Sequence, residues 1–399
     1  MALINNTVLT INGGSSGIKF ALYKPGTPPE QLFFGEMERS GNKATKINFT
    51  GMAWDEKQTV DIKAAEQEDA ADVLTGWLVK QTDFNSVSAI GHRIVHGMQY
   101  IEPQLITPEL LDALRSISEY DTEHLPGEIK LIEAFASRFP GIPQVACFDT
   151  FFHASMPAVA KLLPIPRRYA AKGIHRYGFH GLSYAYLIEE LEQIAGRETA
   201  AGKIILAHLG NGASLAAVKA GRSIDTSMGF TPASGLPMST RTGDLDPGVA
   251  SYLMRSEKMN PQQFSQMVNH ESGLLGISGT SSDMRELLKS QSADSRAAEA
   301  VEFFCYQTKK WIGSFAAVLG GLETLVFSGG IGEHSPEIRS RICAGLLFLG
   351  IELDELKNKN NEAIISADGS AVCVRVIRTN EELMIAKLTC KVVNEVVGK

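Results

Sequence analysis

Residues 8–23 read Val-Leu-Thr-Ile-Asn-Gly-Gly-Ser-Ser-Gly-Ile-Lys-Phe-Ala-Leu-Tyr. Two apolar runs flank a short loop of small residues, which is the pattern of a β-hairpin. The same design returns at residues 204–218, Ile-Ile-Leu-Ala-His-Leu-Gly-Asn-Gly-Ala-Ser-Leu-Ala-Ala-Val, with Asn211 about half a chain length beyond Asn12. Such a repeat predicts two related α/β halves, each opening with a hairpin whose tip offers backbone N–H groups.

Around these hairpins, residues 70–80, 108–119 and 127–139 have helical periodicity, and 89–95 and 144–148 read as strands. The second half adds helices around 247–254, 283–288 and 295–319, and a buried strand at 324–327. Asn380 is a good N-cap for an amphipathic helix that fills the tail. The proline-bearing loop at 164–166 lies near the middle of the chain and is a candidate domain boundary.

The chain has 399 residues, of which 44% are hydrophobic and 21% charged, so two domains with ordinary globular cores are expected. A net charge of −7, without a basic stripe, argues against nucleic acid as a partner. Five scattered cysteines, never in C-x-x-C spacing, argue against a disulfide framework and a thiolate metal site. Neither a signal peptide nor a membrane span is evident, and a cytoplasmic location away from any membrane is expected.

Three glycine-rich segments follow apolar strands: residues 12–17, 210–214 and 328–333. Each alone is more readily a tight turn. Three together, with Lys19 just after the first, point to a polyphosphate, because glycine lets the backbone approach an anion closely. The P-loop, dinucleotide-binding and protein-kinase signatures are all missing. In Gly91-His92-Arg93-Ile94-Val95-His96-Gly97, a strand would put Arg93 and Val95 on one face, suiting a small carboxylate with a short alkyl group. A structural ion pair for Arg93 is an equal reading, and structural histidines are favoured over a metal site. Asp149 ends an apolar strand, where it could hold Mg2+ or its waters, manage a proton, or cap a helix. The run from His175 to Gly181 packs two histidines and an arginine among aromatic residues and glycines, which suits a site better than a core. Residues 225–247 form a long irregular stretch with one arginine, Arg241, placed to face a transferring phosphoryl group.

With these residues in view, the sequence resembles the acetate kinases, members of the superfamily of acetate and sugar kinases, Hsc70 and actin. The match runs nearly end to end through INGGSSGIKF, GHRIVHG, FDTFFH, RYGFHG, HLGNGAS, DTSMGFTP, TRTGDLDPG, SSDMR, FSGGIGE and TNEELMIA. The resemblance implies an α/β fold of duplicated ribonuclease H-like, actin-like ATPase domains flanking a nucleotide cleft. Residues 1–150 plus a helix at about 383–399 would form the first domain and 151–382 the nucleotide-binding second. It further implies a homodimer, ATP and ADP as substrates, and Mg2+, or alternatively Mn2+, as the metal.

Roles are implied residue by residue. Asn12 and Glu381 would bind the metal, and Lys19 would contact ATP phosphate. His208, Leu209, Gly210, Asn211 and Gly212 would line the nucleotide site, with Asp283, Met284 and Arg285, and with Gly330, Ile331, Gly332, Glu333 and His334. Arg93 would hold the substrate carboxylate, with Val95, Phe179 and Pro232 around its alkyl group. Asp149, His180 and Arg241 would act at the transfer centre. Three departures stand out: Gly17 replaces a third loop serine, Glu123 falls where an apolar pocket residue is expected, and RTGDLD replaces R-S-G-D-I-D. The expected reaction is reversible transfer of the ATP γ-phosphate to acetate, giving acetyl phosphate for acetyl-CoA synthesis. A propionate or butyrate kinase, or an actin/Hsc70-like nucleotide switch, is the alternative.

Overall fold

The computed structural model describes residues 7–14, 17–40, 43–51, 54–62, 69–81 and 86–397. Ser15 and Ser16 of the first glycine-rich loop lie outside them. The chain divides into two units, Met1–Phe151 with Asn380–Lys399, and Phe152–Thr379.

In the first unit, β1 (Thr7–Gly13), β2 (Gly17–Lys24), β3 (Glu30–Ser40), β4 (Lys43–Gly51) and β5 (Trp54–Asp61) form an antiparallel series. On the other side of β1, β6 (Val87–Ile94) and β8 (Gln144–Phe148) run parallel to it, and β7 (Gln104–Leu105) closes the edge. The order is β5-β4-β3-β2-β1-β6-β8-β7. In the second unit the order is β11-β10-β9-β12-β13, from β9 (Lys203–Leu209), β10 (Ala213–Lys219), β11 (Arg222–Thr226), β12 (Thr324–Ser328) and β13 (Cys373–Val376).

The two sheets share one plan. A three-stranded antiparallel meander is joined through its first strand to two parallel strands, giving 3-2-1-4-5 in each unit. Both glycine-rich hairpins form, pairing Gly13 with Ile18 and Leu209 with Ala213; the first opens its unit as the sequence predicts, whereas the second opens only its sheet, after the helices that lie between Ala158 and Ala201.

Each sheet buries apolar residues under helices. In the first unit Leu9, Ile11, Phe20 and Ile90 pack with Leu74, Trp77 and Leu78 of the helix Ala70–Gln81 and with Phe135 of the helix Leu125–Arg138. Fully burying one such side chain contributes roughly 1.5–3 kcal/mol. The helix Glu381–Val397 returns to this sheet and lies over β1, β6 and β8. Its approach is so close that a Cβ on Gly91 would fall 2.1 Å from Thr389 Oγ1. Asn380 Oδ1 accepts from Leu383 N at 2.9 Å, so the helix starts on the expected cap. In the second unit Tyr184, Leu187 and Leu191 of the helix Gly181–Ala195 pack on Ile204, Leu206 and Val326.

Two expectations are corrected. Pro164 and Pro166 lie inside the second unit, where they shape turns between the short helices Ala158–Lys161 and Arg167–Ala170 and do not mark a boundary. The strand expected over 89–95 ends at Ile94, because Val95 N leaves the ladder and donates to the Glu128 carboxyl. Among the described residues no helix is long and apolar enough to cross a membrane.

Candidate functional site

The first unit gathers its polar residues where β1, β6 and β8 end. Their parallel course brings Asn12, Arg93 and Asp149 to the same edge. Arg93 donates through Nε and Nη2 to Asp149 Oδ2 at 3.1 and 2.6 Å, and through Nη1 to Asn12 Oδ1 at 3.2 Å and Gly13 O at 3.3 Å. Asp149 is fully buried. Burial alone lowers the Arg93 pKa, but Asp149 and then Glu381 outweigh it and keep the guanidinium charged. Asn12 Nδ2 donates to Glu381 Oε2 at 2.9 Å and to Glu382 Oε1 at 3.0 Å. Lys19 is the cross-strand partner of Asn12 and is exposed. Desolvation lowers its pKa, while Glu382, Glu381 and Glu36 more than reverse the shift, so the ammonium stays charged.

Behind this edge lies a buried acid that the sequence reading missed. Glu128 takes the Val95 N–H with both carboxyl oxygens, each at 3.1 Å. Burial, then Asp121, pushes its pKa well above the usual carboxylate range against the pull of Arg93. Asp121 Oδ1 meets His124 Nδ1 at 3.0 Å, and Glu123 is exposed. His92 is a core residue, bound to Gln144 at 2.6 Å and edge-on to Phe135, and burial drops its pKa to about 4.

The second unit repeats the arrangement around its own hairpin. β9 delivers His208, and the turn Gly210 to Gly212 closes with Gly210 N donating to Gly212 O at 3.0 Å. β12 lies parallel to β9 and brings Ser328 opposite His208, so the two glycine-rich segments meet. A Cβ on Gly210 would stand 3.8 Å from Gly330 N. His180 precedes the helix Gly181–Ala195 with a left-handed φ of 58°. Its ring stacks on His208 with centroids 4.3 Å apart. Its Nδ1 is 2.8 Å from Ser214 Oγ.

Arg241 reaches the same turn. A Cβ on Gly212 would lie 3.1 Å from His180 Nε2 and 3.8 Å from Arg241 Nη1. Glycine at this position leaves both nitrogens room. Arg241 Nη1 also donates to Pro232 O at 3.3 Å, and Ser239 N donates to Asn211 O at 3.1 Å, which ties the irregular segment to the hairpin. Arg176 anchors the start of that segment through the carbonyls of Thr226, Ser227 and Met228. Phe179 is buried, and its carbonyl meets His153 Nε2 at 3.0 Å.

The remaining expected residues divide. Asp283 caps the helix Met284–Ser290 and pairs with the exposed Arg285, while Met284 is buried. Ile331, Gly332 and His334 belong to the helix Gly329–His334. Glu333 turns back on its own segment, where Oε1 accepts from Gly329 N at 2.9 Å and Thr379 N at 3.1 Å. Its contacts are those of a carboxylate that shapes the loop.

Each unit thus sets placed cations beside backbone-rich strand ends, an arrangement suited to binding anions. The acetokinase family model matches residues 7–387. An acetate kinase of Rhodopseudomonas palustris is 42% identical over 390 residues, covering 96% of this chain and 98% of its own. Among solved structures, a propionate kinase from Francisella tularensis superimposes with a TM-score of 0.89 at 37% identity, covering 97% of this chain and 99% of that one. Porphyromonas gingivalis acetate kinase gives a TM-score of 0.86 at 34% identity, covering 97% and 100%.

Proposed function

The chain belongs to the acetokinase family, and on that premise we propose that it transfers the γ-phosphate of ATP reversibly to acetate, giving acetyl phosphate and ADP. The observation that carries this reading is the approach of both His180 Nε2 and Arg241 Nη1 to Gly212. Arg241 is a donor there, and we take His180 Nε2 as the second.

The acceptor's own chemistry explains that choice of groups. A carboxylate with a pKa near that of Asp or Glu is already ionised at neutral pH, so no strong base is needed. The barrier comes from repulsion between two anions and from charge spread over a metaphosphate-like transition state. An acceptor oxygen attacks phosphorus as the bond to the bridging oxygen breaks, and the departing electron pair stays on ADP. Arg241 and His180 donate to the phosphoryl oxygens, where charge develops. Arg93 is assigned to the acceptor carboxylate, and Val95, Phe179 and Pro232 to its alkyl group. Lys19 meets ATP phosphate, and the 208–212, 283–285 and 330–334 segments hold the nucleotide.

Asn12, Glu381 and Glu382 offer hard oxygen donors in one hydrogen-bonded set, which suits Mg2+. Among the described residues no group of three His, Cys, Asp or Glu side chains is preformed as a cage. Magnesium in phosphoryl-transfer sites commonly takes one or two carboxylates plus phosphate oxygens, so the set is sufficient. When bound, the metal would offset phosphate charge. Asp149 fixes the Arg93 fork and would orient the water of a bound metal.

We place the protein in the cytoplasm, where its free cysteines stay reduced, and in a homodimer. The helices Pro247–Ser256 and Pro261–His270 bury none of their side chains, and Val249, Tyr252 and Met254 are exposed there, so this face is assigned to the partner copy. Sedimentation of the purified chain tests that assignment.

A specific likeness also favours propionate as a second acceptor, since a propionate kinase superimposes well. One methylene shifts discrimination by only about 1–3 kcal/mol. Incubation with ATP, Mg2+ and acetate, propionate or butyrate, with hydroxylamine trapping, separates these readings. Acetate should give the most hydroxamate. ATP hydrolysis unaffected by any acid would mark a nucleotide switch instead.

A further inference from the structure

His180 is useful as a donor to a phosphoryl oxygen only if its proton sits on Nε2. A neutral imidazole carries one proton, and the bond made by the other nitrogen selects the tautomer. His180 Nδ1 lies 2.8 Å from Ser214 Oγ, and Ser214 Oγ lies within hydrogen-bond distance of Tyr184 Oη. All three residues are buried. Ser214 is positioned by β10, directly after the Gly210–Gly212 turn, and Tyr184 by the first turn of the helix that His180 opens.

A serine hydroxyl has one proton to give, to either neighbour. Tyrosine, with a pKa near 10, is a stronger acid than an aliphatic alcohol and therefore the better donor of the pair. Tyr184 Oη accordingly donates to Ser214 Oγ, which frees the serine proton for His180 Nδ1. The remaining imidazole proton is then on Nε2, the nitrogen that lies against Gly212.

We propose that Tyr184 and Ser214 form a hydroxyl relay that locks His180 in the Nε2–H tautomer, with its donor turned toward the transferring phosphoryl group. They are positioning residues, since they act through His180. The inference rests on the proposed role of His180 only for its benefit to catalysis; the tautomer itself is a property of the resting protein. The stack of His180 on His208 adds to the lock by fixing the ring plane, so a change of hydrogen bonding cannot be absorbed by rotation.

The test is 15N-detected histidine NMR on the full chain at neutral pH, with His180 assigned by comparison with His180→Gln. The expected spectrum has a proton-bearing Nε2 and a bare Nδ1. A proton on Nδ1 overturns the relay. Tyr184→Phe and Ser214→Ala should each shift His180 toward a tautomer mixture and lower turnover by about tenfold, with the ATP and carboxylate KM values little changed. If the wild-type spectrum is as expected and both variants leave it unchanged, the lock is not made by these hydroxyls and the proposal fails. Should His180→Gln keep full turnover while the tautomer shifts as described, the relay stands and the catalytic role given to His180 falls.

Discussion

Arg93 and Asp149 end neighbouring parallel strands and close a buried ion pair, with Nη2 and Oδ2 2.6 Å apart. The side chains are 14% and 0% exposed. Removing one partner of such a pair leaves an uncompensated charge away from water. On the role proposed for Arg93, the same pair would also fix the acceptor site, because a guanidinium held at Nε and Nη2 by a carboxylate cannot swing away from its ligand.

Asp149→Ala should therefore destabilise the fold by about 3–5 kcal/mol. Urea unfolding would show a lower midpoint at an unchanged slope. Removing Arg93 as well should restore part of the loss, since the orphaned charge is gone. Arg93→Ala alone should raise the carboxylate KM more than that of ATP. A stable Asp149→Ala protein with normal acceptor affinity would show that the pair matters to neither.

On the role proposed for it, Arg241 is a donor whose interaction strengthens in the transition state, so Arg241→Ala should lose about 10² to 10³ in turnover with ATP affinity retained. Steady-state kinetics with varied ATP at saturating acceptor measures both quantities. Retained turnover would remove Arg241 from the transfer centre.

The sequence was legible where local chemistry matches the fold. Both hairpins, the helix cap at Asn380 and the helix Ser295–Leu319 follow from periodicity and turn residues. The strands β3 to β5 were not, since their register depends on partners in β2 and on aromatic packing of Phe33 and Phe49 against Trp77, which no local window contains. The site divides in the same way. Glycine turns and cations announce themselves, whereas Glu128 and Glu382 matter only through contacts across long sequence separations. Ser214 stood inside a recognised motif, but its role needs Tyr184, thirty residues away, to be visible.

Stability should fall as the solution is acidified through the histidine range. His92 and His153 are buried, and burial drops both pKa values from 6.5 to about 4. Between those values the unfolded chain binds protons that the folded chain refuses. Stability is then fully present above about pH 6.5 and declines toward pH 4, by roughly 3 kcal/mol for each histidine. Urea midpoints across this window should fall steadily, and His92→Asn should flatten the slope. A slope unchanged by that substitution would place the proton uptake elsewhere.

Arg339 carries the last prediction. It is fully buried, and burial lowers its pKa to about 10. Nη1 donates to Gly332 O at 2.8 Å and Glu333 O at 3.1 Å, at the end of the helix Gly329–His334. Nε and Nη2 hold Asn358 Oδ1 at 2.8 Å, Asn358 O at 2.9 Å and Asn361 Oδ1 at 2.7 Å. The planar fork thus joins the glycine-rich segment to the helix Glu355–Lys359 and the turn after it by bonds that a lysine cannot reproduce, since one ammonium has three donors at a single point. Arg339→Lys should leave buried carbonyls unpaired, destabilise by about 1–3 kcal/mol, and raise the ATP KM while leaving the carboxylate KM unchanged. The split between the two KM values is the decisive readout, because general loosening of the fold would move both. A variant that loses stability but keeps its ATP KM would confine Arg339 to holding the fold and free the Gly330–Gly332 backbone from dependence on it.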